Sequence, residues 1–166
     1  MIGVLVAVMV GLAAWAGPAV PTRRPVADDV MSVQALHEAR LEIFPLPRML
    51  AAASVTEDQI RRNMTEALEN SGIAIVEDEG MSLLKFKAKT INYPQDDNIV
   101  GLVFILEVVQ EAMVHRLGKN FMVPTYSGGA VAITTRDQLA VVSEEKAREV
   151  AMAVVRAGRV SSAIKD

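Results

Sequence analysis

The chain has 166 residues, of which 51% are hydrophobic and 22% charged, and its formal net charge is −3. This balance excludes disorder over most of the length, and the lack of a basic excess excludes a nucleic-acid binder. There are no cysteines, which excludes disulfides, thiolate nucleophiles, cysteine zinc sites and a lipid anchor on cysteine. The length fits one domain with short appendages.

The first segment predicts export. Residues 2–20 carry no charge, and Ala14-Trp15-Ala16 places small residues at the positions that a signal peptidase requires. We expect residues 1–16 to be a cleaved signal peptide and the protein to be periplasmic or secreted. The alternatives are a membrane anchor, because about 19 apolar residues are long enough to span a bilayer, or a buried helix. Any contact with a membrane is expected only through this segment, and only if it stays uncleaved.

Prolines mark the next boundary. Pro18, Pro21 and Pro25 disfavour both helix and sheet, so residues 17–33 are predicted to be a flexible linker. A single domain is expected over residues 34–159, followed by a short tail at residues 160–166.

The first half of the domain predicts strand, helix, strand. Residues 40–44 alternate and are followed by Pro45 and Pro47, which favours an edge strand. Thr56 and Gln59 have the spacing of a capping box at the start of a helix, and Gly72 is a suitable left-handed residue at its end. Residues 73–76 are apolar and predict a brief strand.

Three strands and a helix are predicted next. Within residues 83–89, lysines alternate with apolar residues from Leu84 on, which is typical of a strand with one solvated face. Residues 99–115 predict the longest strand. Its first half is apolar at every position over residues 102–106, so we expect a central strand that is covered on both faces there. A strand over residues 121–133 contains Gly128-Gly129, where we expect a bulge.

A helix closes the domain over residues 136–157. Thr135 and Gln138 predict a second capping box, and Gly158 a second helix end. Two helices on one face of a mostly antiparallel sheet of about four to five strands make a two-layer α+β sandwich. The second face of such a sheet is open to solvent or to a partner. Lys85, Lys87 and Lys89 should lie on it as a solvated face, and they are the candidate interaction residues. An anion-binding stripe is the alternative.

Residues with catalytic chemistry are sparse. The two histidines are His37 and His115, and Glu111 lies four positions before His115, but two ligands are too few for a zinc site. Ser127 precedes two glycines without the strand-to-helix turn that presents a nucleophilic serine. We therefore expect no catalytic, cofactor-binding or metal-binding residues and no cofactor.

Two further sets of residues favour structural roles. The run Asp96-Asp97-Asn98 lacks the alternating oxygen spacing of a calcium loop, and a hairpin turn explains it better. Met64 and Met152 are predicted to be helix core, and Met113 and Met122 strand core.

The motifs resemble those of one group of proteins. Residues 55–60 (Val-Thr-Glu-Asp-Gln-Ile) and 71–73 (Ser-Gly-Ile) match its capped helix, residues 101–104 and 107–110 match one of its strands, and residues 125–129 match its Thr-Trp-Ser-Thr-Gly segment, with Tyr126 in place of Trp. On these residues the chain resembles a group of small exported bacterial proteins of unknown function. The resemblance implies a strand, a helix, three strands and a helix, and it brings no catalytic residues.

The expected function is that of an exported, non-enzymatic domain that takes part in protein interaction or envelope assembly. Its partner would be an envelope protein or a second copy of the chain, and not nucleic acid. A periplasmic domain that binds a small ligand or a lipid is the alternative, and a small hydrolase is a third possibility.

Overall fold

The computed structural model describes residue 33 and residues 36–78 and 82–162. The predicted signal peptide, with Ala14 and Ala16, lies outside these residues, as does most of the predicted linker. The described elements, in chain order, are β1 (Glu38–Ile43), α1 (Arg48–Ala52), α2 (Glu57–Glu69), β2 (Ala74–Ile75), β3 (Ser82–Asn92), β4 (Ile99–Val114), β5 (Lys119–Thr135), a 3-10 turn (Arg136–Gln138) and α3 (Leu139–Ser162).

The strands form one sheet in the order β2-β1-β3-β4-β5. Strand β1 runs parallel to β2 and to β3, whereas β3, β4 and β5 are antiparallel neighbours. The predicted α+β class with a mostly antiparallel sheet is confirmed. The placement of the first strand at an edge was wrong, because β1 pairs on both sides. Pro45 and Pro47, which favoured an edge, follow the last residue of β1, so they remove no N–H group from its ladder.

The helices cover one face of the sheet. Alternate residues of β4 are fully buried on that face: Val100, Leu102, Phe104, Leu106 and Val108. The rings of Phe86 and Phe104 meet edge to face with centroids 5.2 Å apart. From α2, Ile60, Met64 and Leu68 are buried in the same core. The period of two along the strand and the helical period along α2 thus bring their apolar faces into one layer.

Helix α2 begins and ends as the sequence predicts. The Thr56 N–H donates to Gln59 Oε1 at 2.8 Å, and the Gln59 N–H donates to Thr56 Oγ1 at 3.2 Å, which completes the capping box. Gly72 has φ +91°, and the Ile73 N–H then donates to the Leu68 carbonyl at 3.0 Å. A positive φ suits glycine because a Cβ would crowd the backbone.

Helix α3 departs from the prediction at both ends. The Thr135 side chain makes no capping hydrogen bond, since the chain enters α3 through the 3-10 turn. Gly158 does not end α3, which continues to Ser162. A Cβ at position 158 would lie 3.1 Å from the Val33 carbonyl oxygen. The glycine therefore gives room to the backbone that crosses α3.

The bulge in β5 lies a few residues before the predicted position. Val108 pairs with Tyr126 and Val109 with Pro124, so Thr125 is the extra residue. Gly128 stays in register, and a Cβ there would lie 3.2 Å from the ring of Tyr126 and 3.4 Å from Ala153 Cβ of α3. The glycine is needed for close approach of ring and helix, and not for a bulge.

Candidate interaction surface

The face of the sheet opposite the helices is here called the open face. In β4 it carries the odd-numbered residues, of which Val103 and Ile105 are only half-buried, whereas Phe104 between them is fully buried. The prediction that this strand is covered on both faces was wrong for the described residues. The apolar run reflects one buried face and one partly exposed apolar face.

Lys85, Lys87 and Lys89 lie on the open face, at alternate positions of β3. Lys85 pairs with Glu42 of β1 on one side and with Glu107 of β4 on the other. Lys87 Nζ lies 2.8 Å from Glu107 Oε2 and 5.4 Å from the centroid of the Phe44 ring. Carboxylates therefore flank two of the three lysines. This arrangement favours a solvated, charge-balanced face over an anion-binding stripe.

The other half of the open face is apolar, and we call it the apolar end: Ile91, Val103, Val131 and Ile133. Ile91 is 60% exposed, Val131 68% and Ile133 80%. The register of the three strands makes these residues neighbours. Val103 lies between Lys89 and Val131, and Gly101 lies between Ile91 and Ile133. The apolar end is thus continuous across three strands.

A depression of about 270 Å³ lies in the apolar end, and Tyr93 also lines it. Gly101 opens this depression, since it carries no side chain between Ile91 and Ile133. A Cβ at Gly101 would lie 3.5 Å from Ile91 Cβ. Exposed apolar surface around a concave site is typical of a place where another molecule binds.

The far end of the β4–β5 hairpin is also apolar and exposed. Met113 is 58% exposed and Met122 51%, so the prediction that both belong to the strand core was wrong. Burial along the described part of β4 ends at Val109. Met113 has the parity of the open face, and Met122 pairs with Glu111 of the same parity, so both side chains lie on the face opposite the helices.

The candidate catalytic residues lie apart. Ser127 is exposed in the middle of β5, opposite Glu107, whereas His115 follows the end of β4. The seven residue steps from Glu107 to Val114 span about 23 Å of strand. His37 precedes β1, three strand spacings, or about 14 Å, from β5. The fold therefore forms no pair of Ser127 with a histidine.

The acidic run at residues 96–98 forms the β3–β4 turn, as predicted. Asp96 Oδ1 accepts from the Asn98 N–H at 2.9 Å, and Arg136 Nε donates to the Asp97 carbonyl at 2.5 Å. One hydrogen bond within the turn and one from Arg136 therefore hold it in place. Among the described residues, no three His, Asp or Glu side chains are grouped so that they could hold a metal ion.

A titratable group beside this turn is perturbed. Hydrogen bonds from the Thr135 hydroxyl, and then from the Gln138 side chain, hold the pKa of Asp137 below its ordinary value. Both bonds favour the ionised carboxylate. Asp137 is fully exposed, so this shift indicates local order at the start of α3 and not a reactive site.

None of the described helices is at once long and apolar enough to span a membrane.

Comparison with known proteins gives distant likenesses only. No protein-family model matches the chain, and no curated protein is similar to it in sequence. A minor lipoprotein from Acinetobacter baumannii is similar in structure, with a TM-score of 0.44 and 13% identity over 76% of this chain and 94% of that chain. The rare lipoprotein B from Shewanella oneidensis is similar with a TM-score of 0.42 and 12% identity over 77% of this chain and 97% of that chain. At these scores the likenesses assign no function.

Proposed function

We propose that this protein is an exported, non-enzymatic interaction module and that it binds a partner protein through the apolar end of its open face. The observation that carries the proposal is the clustering of exposed apolar side chains on adjacent strands. Ile91, Val131 and Ile133 are each at least 60% exposed. Soluble domains seldom leave contiguous apolar surface in water unless another molecule covers it.

The shape of the surface supports a protein partner. Interfaces gain most of their affinity where a large side chain fills a desolvated pocket within a ring of weaker contacts. The depression of about 270 Å³ offers such a pocket, and Lys89 borders the apolar end through its register with Val103. We infer that the partner presents an apolar side chain to the pocket and polar groups to Lys89 at its border.

A non-enzymatic role fits the placement of the reactive groups. A serine hydrolase requires the nucleophile and its base within hydrogen-bonding distance, and Ser127 and His115 are separated by about 23 Å of strand. Export is supported by the uncharged run at residues 2–20, followed by the Pro-rich stretch.

The alternative of a small ligand or lipid between helices and sheet has less support. The layer between them is filled by large side chains that are fully buried, among them Phe86, Phe104 and Leu50. A ligand there would have to displace packed core. Native mass spectrometry of the purified protein tests this alternative, which requires a co-purifying small molecule.

The decisive experiment is capture from an envelope extract of the source organism with the full chain as bait. Ile91→Lys places a charge in the apolar end without disturbing the buried core. The matched control is Val141→Lys on α3, where the valine is 65% exposed. We expect one protein to be captured by the wild type and by Val141→Lys, but not by Ile91→Lys. Ser127→Ala and His115→Ala should capture it normally.

A protein captured equally by Ile91→Lys and by the wild type would contradict this use of the open face. Turnover in esterase, phosphatase or peptidase assays that is lost with Ser127→Ala or His115→Ala would contradict the non-enzymatic role.

A further inference from the structure

The two edges of the sheet differ in length. One edge is β2, with only the two residues Ala74–Ile75, and the other is β5, with 17 residues. Among the described strands, β5 pairs with β4 alone. An edge strand presents a row of N–H and C=O groups that can pair with another chain, so proteins protect long edges with charges, prolines or bulges.

In β5 these protective features lie only in the first half. Lys119, Pro124 and the bulge at Thr125 precede Tyr126. Residues 127–135 contain neither a charge nor a proline, and we call them the uncharged edge. Their ladder with β4 is continuous, from Ser127 opposite Glu107 to Thr135 opposite Ile99. The uncharged edge is therefore a regular template for one more strand.

We propose that a second copy of this chain supplies that strand. The two uncharged edges would pair antiparallel about a two-fold axis at Val131, which joins two five-stranded sheets into one. This inference goes beyond the proposed function and does not depend on it. It uses the backbone edge of β5, although two side chains of that edge, Val131 and Ile133, also belong to the apolar end.

The sequence of the uncharged edge is complementary to itself in this register. Val131 lies opposite Val131 of the second copy, Ile133 opposite Gly129, and Ser127 opposite Thr135. Paired residues have the same parity, so they lie on the same face. Like charges opposite each other destabilise a strand pair, and this segment has none. Gly129 carries no side chain that could clash with Ile133 of the second copy.

The length of the other edge explains why growth would stop at two copies. After the β5 edges pair, each end of the joined sheet is a β2 strand of two residues. Such a strand is too short to add a further copy, because its few backbone groups cannot offset the loss of freedom on association. The pairing is isologous and closes with two-fold symmetry, which avoids an open fibre. Pairing also removes the aggregation risk of an unprotected edge.

The absence of cysteine allows a direct test with the full chain. Val131→Cys places a thiol on the proposed two-fold axis, and the control Ile91→Cys has a similarly exposed position two strands away. Directly opposed strand residues have Cβ atoms about 4.5–5.5 Å apart, close to the spacing of a disulfide. Under mild oxidation we expect Val131→Cys to form a covalent species of twice 17.9 kDa, and Ile91→Cys to stay largely monomeric.

A second measurement uses no cross-link. Light scattering across a concentration series should show the wild type and Ile91→Lys approaching twice the monomer mass. Val131→Lys places two ammonium groups opposite each other and should weaken the dimer at least about tenfold, the factor that corresponds to 1.4 kcal/mol. Val131 is 68% exposed, so this change leaves the core intact, and unchanged far-UV dichroism checks the fold.

Three results would overturn the inference: a monomeric mass at every concentration, equal cross-linking of both cysteine variants, or a dimer that Val131→Lys does not weaken. Its failure is distinct from failure of the proposed function. Ile91→Lys tests partner binding and leaves the uncharged edge untouched, whereas the dimer is tested without any partner present.

Discussion

Ile105 and Leu106 are neighbours in β4 with side chains of equal size, and the fold places them on opposite faces of the sheet. Leu106 is fully buried against the helices, whereas Ile105 is half-buried on the open face. Truncation of either residue to alanine removes three carbons. The pair therefore measures how differently the two faces are covered.

The expected losses follow from burial. Three buried carbons at about 0.8 kcal/mol each contribute about 2.4 kcal/mol of transfer free energy. The cavity left in the core raises the cost of Leu106→Ala to about 3–5 kcal/mol of unfolding free energy. Ile105 keeps most but not all of its surface covered, and its truncation leaves no enclosed cavity, so Ile105→Ala should cost about 1.5–2 kcal/mol of unfolding free energy.

Urea unfolding followed by far-UV dichroism separates these values. At a slope of about 2 kcal/mol per molar urea, the midpoint falls by about 1.5–2.5 M for Leu106→Ala and by about 0.75–1 M for Ile105→Ala. Both variants and the wild type are compared at one protein concentration, so that self-association contributes equally. Equal losses for the two variants would refute the reasoning, because Ile105 would then be covered as fully as Leu106.

Three further predictions concern caps, turns and pH. Thr56→Ala removes the oxygen that accepts from the Gln59 N–H and should lower the urea-derived unfolding free energy by about 1 kcal/mol; an unchanged free energy would contradict the cap. Gly72→Ala should lower the unfolding free energy by about 1 kcal/mol, because φ at this residue is +91°. An unchanged melting temperature would contradict the left-handed turn. The fold lowers the pKa of Asp137, so the ionised carboxylate stabilises the folded state above the unfolded pKa, and this contribution is lost as pH falls through the folded pKa. The difference in melting temperature between the wild type and Asp137→Asn should therefore vanish in strong acid. A difference that stays constant with pH would contradict the hydrogen bonds to Asp137.

Local interactions explain which elements could be predicted. The capping box of Thr56 and Gln59 and the left-handed Gly72 depend on residues within a few positions of each other, and both are as predicted. The β3–β4 turn at residues 93–98 is predictable for the same reason. Alternation placed Lys85 and Lys87 on one face of β3, because side-chain direction along a strand depends only on parity.

Predictions failed where a residue's surroundings come from distant parts of the chain. Gly158 resembles a helix end in sequence, yet α3 continues through it to Ser162, and its missing side chain gives room to the backbone at Val33. Gly128 resembles a bulge, but it gives room to Tyr126 and to Ala153, which is 25 positions away. Neither contact leaves a pattern in the neighbouring sequence.

The amino-acid sequence by itself determined the α+β class, the cap of α2 and the face on which each strand residue lies, because these follow from hydrogen bonds and periodicities within a few residues. Strand order and the covering of faces were decided only by tertiary structure. An apolar run such as residues 102–106 predicts apolar side chains on both faces of the strand, but it does not predict which face packs against the helices. In the described residues α2 and α3 lie on the same side, and this common placement leaves Val103 and Ile105 on an open face. The order of the strands separately places β5 at an edge.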